Sequence, residues 1–189
     1  MRRSNLTLTA IVAIVLSSAC GSSPTSNPSP NTSSGVASPT ASAKAGTVDP
    51  CLLVTMQEAS ALAGITLGAG VEKTIAANSQ QCMYANQSSY IFTVGVIQAS
   101  SPAEAQAGMQ AAIASIQSQT DFSVNVTQLP SFADGGVEVQ GGASGASVGG
   151  IYAIHGSVAF GFVAFGINHS VPTNAAMLPT ATVMLGRLP

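Results

Sequence analysis

Residues 90 to 98 read Tyr90-Ile91-Phe92-Thr93-Val94-Gly95-Val96-Ile97-Gln98. Successive residues of an extended chain point to opposite sides of a sheet. Tyr90, Phe92, Val94 and Val96 therefore share one side, and Ile91, Thr93, Gly95 and Ile97 the other. Both sides are largely apolar, which places this strand centrally in a sheet covered on both faces. Three residues on, Ser101-Pro102-Ala103-Glu104 is a helix start. The Ser hydroxyl accepts the N–H of Glu104, the Glu carboxylate reaches back, and proline sits in the first turn, where no N–H is needed. Ala105, Met109, Ala112, Ile113 and Ile116 then form one apolar stripe turned towards a sheet, and Gln106, Gln110, Ser115 and Gln119 are polar.

Upstream, Thr55-Met56-Gln57-Glu58 is another capping box, and the helix it starts ends at Gly64. Val71 to Ala77 and Gln81 to Ala85 read as strands with Asn78-Ser79 as their turn. Downstream, a strand from Asp121 to Leu129 is stopped by Pro130, and Asp134-Gly135-Gly136 turns the chain into a strand near Val137 to Gln140. Gly141 to Gly150 reads as a Gly/Ser/Ala loop, followed by a hairpin of Ile151 to His155 and Ser157 to Ile167 around Gly156. A last helix is expected from about Leu178 to Leu188, presenting Leu178, Ala181, Leu185 and Leu188, with Pro179 at its start and not in its interior.

Consecutive strands joined by short turns pair antiparallel. The expected fold class is α+β: an antiparallel sheet of about six to seven strands with helices packed on it and one disulfide. Each half opens with a capped helix followed by a meander, without a residue-level repeat.

The 189 residues are 46% hydrophobic and only 6% charged, so one domain with a sizeable core is affordable and ion pairs cannot organise it. Five Lys+Arg and a formal net charge of −2 argue against nucleic acid, whose affinity rests on cations that neutralise phosphates. The chain has no Trp and 5% aromatics, which leaves little for stacking bases or sugars.

Met1-Arg2-Arg3, the apolar run Leu6 to Leu16 and Ser17-Ser18-Ala19-Cys20-Gly21 follow the basic, apolar, small order of a secretory signal peptide, assigned to residues 1-19. The apolar run is too short to span a bilayer, which takes roughly 20 residues. The small residues before Cys20 resemble the lipobox of bacterial lipoproteins, in which that cysteine carries diacylglycerol and a fatty acyl chain such as palmitate. Ser17 stands where a Leu is usual, with Leu16 one place further back. An unlipidated secreted protein, cut nearby, is the alternative. Residues 20-48 are mostly Ser, Pro, Thr, Asn, Gly and Ala, a disordered tether too poor in apolar groups to offset ordering entropy. Residues 49-189 are then the single globular envelope domain.

With Cys20 assigned to lipid, Cys51 and Cys82 remain as an even pair in an oxidising compartment and are expected to be bonded. A reactive or metal-binding thiol pair is the rival reading, but the spacing is not Cys-x-x-Cys and no His or third Cys lies nearby.

Gly145-Ala146-Ser147-Val148-Gly149 matches the Gly-x-Ser-x-Gly nucleophile elbow, and His155 follows. That elbow needs a strand before it and a helix after it in a large parallel sheet, and neither is expected here. His155 and His169 form no metal pattern. Glu58 and Glu104 are explained by capping and Asp134 by its turn, while Asp49, Glu72, Asp121 and Glu138 show no acid/base spacing; Lys73 beside Glu72 reads as a solvated strand edge. No catalytic residue, metal site or cofactor is expected.

Asp49-Pro50-Cys51-Leu52-Leu53, Glu58-Ala59, Gly64, Cys82-Met83-Tyr84, Leu129-Pro130 and Asp134-Gly135 together resemble small cell-envelope lipoproteins of actinobacteria and other monoderm bacteria that carry a domain of unknown function. More distantly, the domain is similar to extracellular sensor domains of mycobacterial receptor kinases. The resemblance implies a Cys51–Cys82 disulfide, an α+β fold and attachment to the outer face of the plasma membrane, and it supplies no catalytic residues. Phe132-Ala133 departs from the Gly-rich turn usual before that Asp.

The functional expectation is a membrane-anchored extracytoplasmic lipoprotein with a non-enzymatic binding or sensing domain, its ligand held between sheet and long helix. A structural or accessory role, docking on an envelope partner, is the alternative, and a serine hydrolase using Ser147 and His155 is third. The expected partners are the membrane, through lipid on Cys20, and an envelope protein or small apolar ligand.

Overall fold

The computed structural model describes residues 48–87, 89–118 and 123–189. Signal peptide, Cys20, nearly all of the tether, Gln119 and Asp121 lie outside the described residues. In chain order the elements are α1 (Pro50–Leu53), α2 (Met56–Ala63), β1 (Val71–Ala76), β2 (Ser79–Ala85), β3 (Tyr90–Gln98), α3 (Pro102–Gln117), β4 (Ser123–Leu129), β5 (Gly136–Ala143), β6 (Ala146–His155), β7 (Val158–Ile167) and α4 (Asn174–Gly186).

The strands form one antiparallel sheet in the order β1-β2-β3-β7-β6-β5-β4. β3 is internal, as its two apolar sides require, and pairs with β7 from Tyr90↔Gly166 to Gln98↔Val158. The meander β1-β2-β3 and the meander β4-β5-β6-β7 are joined by α3, so the two halves meet at that pair.

Each side of β3 belongs to a different core. Phe92, Val94 and Val96 pack with Phe160 and Phe162 beneath Leu53, Ala59, Met177, Ala181 and Met184, which brings α1, α2 and α4 to one face. Phe92 stacks on Phe162 with ring centroids 5.1 Å apart. On the other face Ala105, Met109, Ile113 and Ile116 of α3 meet Val137, Val139, Val148, Ile154, Ala159 and Val163. The α3 stripe read from the sequence is therefore core, and Gly108 lies so close to the sheet that a Cβ there would stand 3.1 Å from Ile97 Cδ1.

The local signals act largely as expected. Thr55 and Glu58 form a reciprocal capping box, and Gly64 ends α2 with φ of 68°. At α3 the Ser101 side chain accepts the N–H of Glu104, but the Glu104 carboxylate bonds the N–H of Ser100, one residue earlier than a capping box requires. The first hairpin turns on Ala77 and Asn78, so Ser79 already belongs to β2.

Two expectations are corrected. Gly141 to Gly150 is not a loop: it contains the end of β5 and the first half of β6, turned tightly at Gly145 with φ of 79°. The glycines there serve close strand approach. A Cβ at Gly141 would lie 2.1 Å from the Ser123 carbonyl oxygen, and one at Gly150 2.3 Å from that of Phe162. The last helix starts earlier than Leu178, and Pro179 sits inside it. An internal proline costs about 3 kcal/mol; full burial of Met177 and Met184, with Ala181 between them, is of a size to offset that, at about 1.5–3 kcal/mol per large side chain.

Candidate functional site

The Cys51–Cys82 disulfide joins α1 to β2, with an S–S distance of 2.03 Å and Cα atoms 5.1 Å apart. Its position follows from the Asp49-Pro50 start. Asp49 Oδ1 accepts the N–H of Cys51 at 2.8 Å and Pro50 fixes the first turn, so the short helix presents Cys51 to the sheet. Cys82 is fully buried.

Tyr84, two residues along β2 on the same face, completes this corner. Its hydroxyl donates to the Val54 carbonyl, with the Cys51 carbonyl at 3.2 Å. Burial raises the Tyr84 phenol above its ordinary range, and the negative charges of Asp49 and Glu58 add to that, so it stays a protonated donor. Gly70 passes over the corner. A Cβ there would lie 2.6 Å from Cys82 Sγ and 2.7 Å from Tyr84 Cε1.

A second tie closes the helical layer. Arg187, just past α4, holds Glu58 with Nη1 donating to Oε2 at 2.8 Å and Nη2 donating to Oε1 at 2.6 Å. Nη1 also donates to the Leu53 carbonyl at 2.8 Å. The Arg187 hydrogen bonds hold the Glu58 carboxyl down at about 2, with the Thr55 bonds adding and partial burial opposing. Sequence reasoning assigned Glu58 to capping alone; nothing in the spacing of positions 58 and 187 announces a contact between them.

The remaining candidates do not form a catalytic centre. Ser147 and His155 lie eight positions apart on one strand, about 26 Å at roughly 3.3 Å per residue. The Ser147 hydroxyl is spent on the backbone carbonyl of His169, to which it donates at 2.6 Å. His155 points outward at the β6 end, its Nδ1 3.6 Å from Asp134 Oδ2, and that carboxylate accepts the N–H of Gly156 at 2.6 Å. Ser147 and His155 therefore form no nucleophile–base pair, which removes the hydrolase reading built on those two residues. Glu138 accepts from Asn174 Nδ2 at 2.5 Å. Among the described residues no three His, Cys, Asp or Glu side chains gather to hold a metal ion, and no helix is long and apolar enough to cross a membrane.

Leu129-Pro130 and Asp134-Gly135 lie on either side of the turn between β4 and β5. Ala133, where a glycine-rich turn is usual, takes a left-handed φ of 53°. Phe132 packs on Phe160, with ring centroids 6.5 Å apart. Phe132 and Ala133, the residues that depart from the resemblance, are both partly buried against the core.

No family model matches the chain, and no curated protein matches it. Among solved structures the chain is similar to the extracellular domain of PknH from Mycobacterium tuberculosis, with a TM-score of 0.52 and 11% identity over 75% of this chain and 97% of that one. The likeness is one of fold.

Proposed function

We propose that this chain is an exported envelope lipoprotein, tethered to the outer face of the plasma membrane through lipid on Cys20, whose domain binds or senses without catalysing a reaction. The observation that carries the reading is the Cys51–Cys82 disulfide, with Cys82 fully buried and Cys51 partly so. Structural disulfides of this kind belong to oxidising compartments outside the cytoplasm, and this domain has few ion pairs to substitute for one. The fold shared with an extracellular domain supports the same placement. The basic, apolar and small segments before Cys20 support export and acylation of that cysteine. Non-enzymatic action is supported by the separation of Ser147 from His155 along β6.

Packing bears on the choice between the two binding readings. The space between α3 and the sheet, where a small apolar ligand was expected, is filled by α3 side chains packed on the valines and isoleucines of β5 and β6. That favours the accessory reading, in which the domain docks on another envelope component through its outer surface. Labelling cells with palmitate tests the anchor. Label present in the wild type and lost in Cys20→Ala supports it, and label retained in that variant refutes the assignment of Cys20.

A further inference from the structure

The sheet ends in two edges that differ in how they are protected. β1 carries Glu72 and Lys73, and its pairing with β2 is broken by a register shift between Thr74 and Ala76. Charge and irregularity are the usual means by which an edge strand avoids pairing with another chain. β4, at the other edge, has neither. Its sequence Ser123-Val124-Asn125-Val126-Thr127-Gln128-Leu129 contains no charge and no proline, and it pairs with β5 in unbroken register from Ser123↔Gly142 to Leu129↔Gly136. Among the described residues no strand pairs with its outer side.

We propose that β4 is a self-association edge, and that two copies of this chain join β4 to β4, antiparallel, about a two-fold axis at Val126. Only that register overlaps all seven residues. It sets Asn125 opposite Thr127, so an amide meets a hydroxyl twice, and it sets Val126 against its own copy beside the α3 core, to which Val124 and Val126 already belong. No like charges face each other across the pair, because β4 carries none. The same register also sets Val124 against Gln128 and Ser123 against Leu129, so the pairing rests on the Asn125–Thr127 and Val126–Val126 contacts and on the absence of opposed charge; a second copy is the partner because it brings this same uncharged, unbroken edge. The joined strands run about 24 Å, so the interface falls at the small end of specific ones, below about 1,200 Å². The dimer is accordingly weak in solution. Confinement of both copies to one membrane raises their effective concentration; that point rests on the anchoring proposed above, whereas the strand pairing does not.

The test uses the full-length protein in detergent solution, where no anchor is needed. Sedimentation should show a monomer–dimer equilibrium in the wild type, and Asn125→Lys with Thr127→Lys should raise its dissociation constant at least about tenfold, each lysine facing its like across the axis. Both side chains are exposed, so the melting temperature of the variant should stay near that of the wild type. In single-cysteine additions, Val126→Cys should cross-link two chains on oxidation. Val124→Cys and Gln128→Cys should not, since each lies about 14 Å from its own copy in this register, beyond disulfide reach. A wild type that stays monomeric at all concentrations overturns the proposal. So does a dimer indifferent to the lysines, or equal cross-linking at all three positions.

Discussion

Arg187 reaches back across the helical layer to grip Glu58 with two hydrogen bonds, of 2.6 and 2.8 Å, and so ties the end of the chain to the cap of α2. The same carboxylate accepts the N–H of Thr55 at 2.8 Å. Glu58 titrates at about 2 in the folded protein, below the ordinary 4.5. A depressed carboxylate contributes stability that is complete above its unfolded value and is lost as pH falls through the folded one. The contribution should therefore disappear between about pH 5 and pH 2. The pair is about one-third exposed, so solvent screening limits it to about 1 kcal/mol. Denaturant titrations of wild type and Glu58→Gln check this: the two curves should differ by that amount at pH 7 and converge near pH 2.

Removing the disulfide should cost more. Cys51 and Cys82 are 31 residues apart, and closing a loop of that length restricts the unfolded chain by about 3 to 4 kcal/mol in the chain-entropy account. Replacing both cysteines by alanine should lower the stability measured by urea unfolding by that amount while leaving the far-ultraviolet spectrum of the folded form intact.

Gly70→Ala is expected to destabilise the same corner by about 1–3 kcal/mol, the usual range for overpacking. The added methyl would meet a disulfide sulfur that cannot swing away and a Tyr84 ring held by its hydrogen bond to Val54. In the Cys51→Ala, Cys82→Ala background the sulfur is gone, and the penalty of Gly70→Ala should shrink. A double-mutant cycle by thermal unfolding measures the coupling.

Tyr90 should respond in the opposite direction. It is fully buried, its hydroxyl has no hydrogen-bond partner among the described residues, and burial pushes its phenol up to about 12. An unpaired buried hydroxyl costs about 1–3 kcal/mol, so Tyr90→Phe should be neutral or stabilising. Chemical denaturation decides it, a loss of stability showing that the hydroxyl has a partner after all.

The fold was readable where a local rule speaks for a residue's own neighbourhood. The two-sided apolar pattern of Tyr90 to Gln98 identifies the central strand, and Thr55 with Glu58 starts a helix whatever surrounds it. The strands through Gly141 to Gly150 were hidden because glycine there answers to a carbonyl on the next strand, a constraint invisible until the strands are paired. Pro179 misled for a related reason, since its local cost is offset by burial of Met177 and Met184 against distant strands. Of the candidate site, the Cys51–Cys82 pair was readable from cysteine arithmetic and compartment. Arg187 with Glu58, and Gly70 over the disulfide, are contacts between remote positions that no spacing encodes.

The central claim is that one cysteine carries lipid and the other two are joined to each other. Mass spectrometry of the full protein extracted from membranes under non-reducing conditions tests it most directly. The account predicts a mature chain that begins at Cys20, with the added mass of a diacylglyceryl group and an acyl chain on that residue, and a linked peptide joining Cys51 to Cys82. An unmodified Cys20, or a disulfide between Cys20 and either other cysteine, would contradict it.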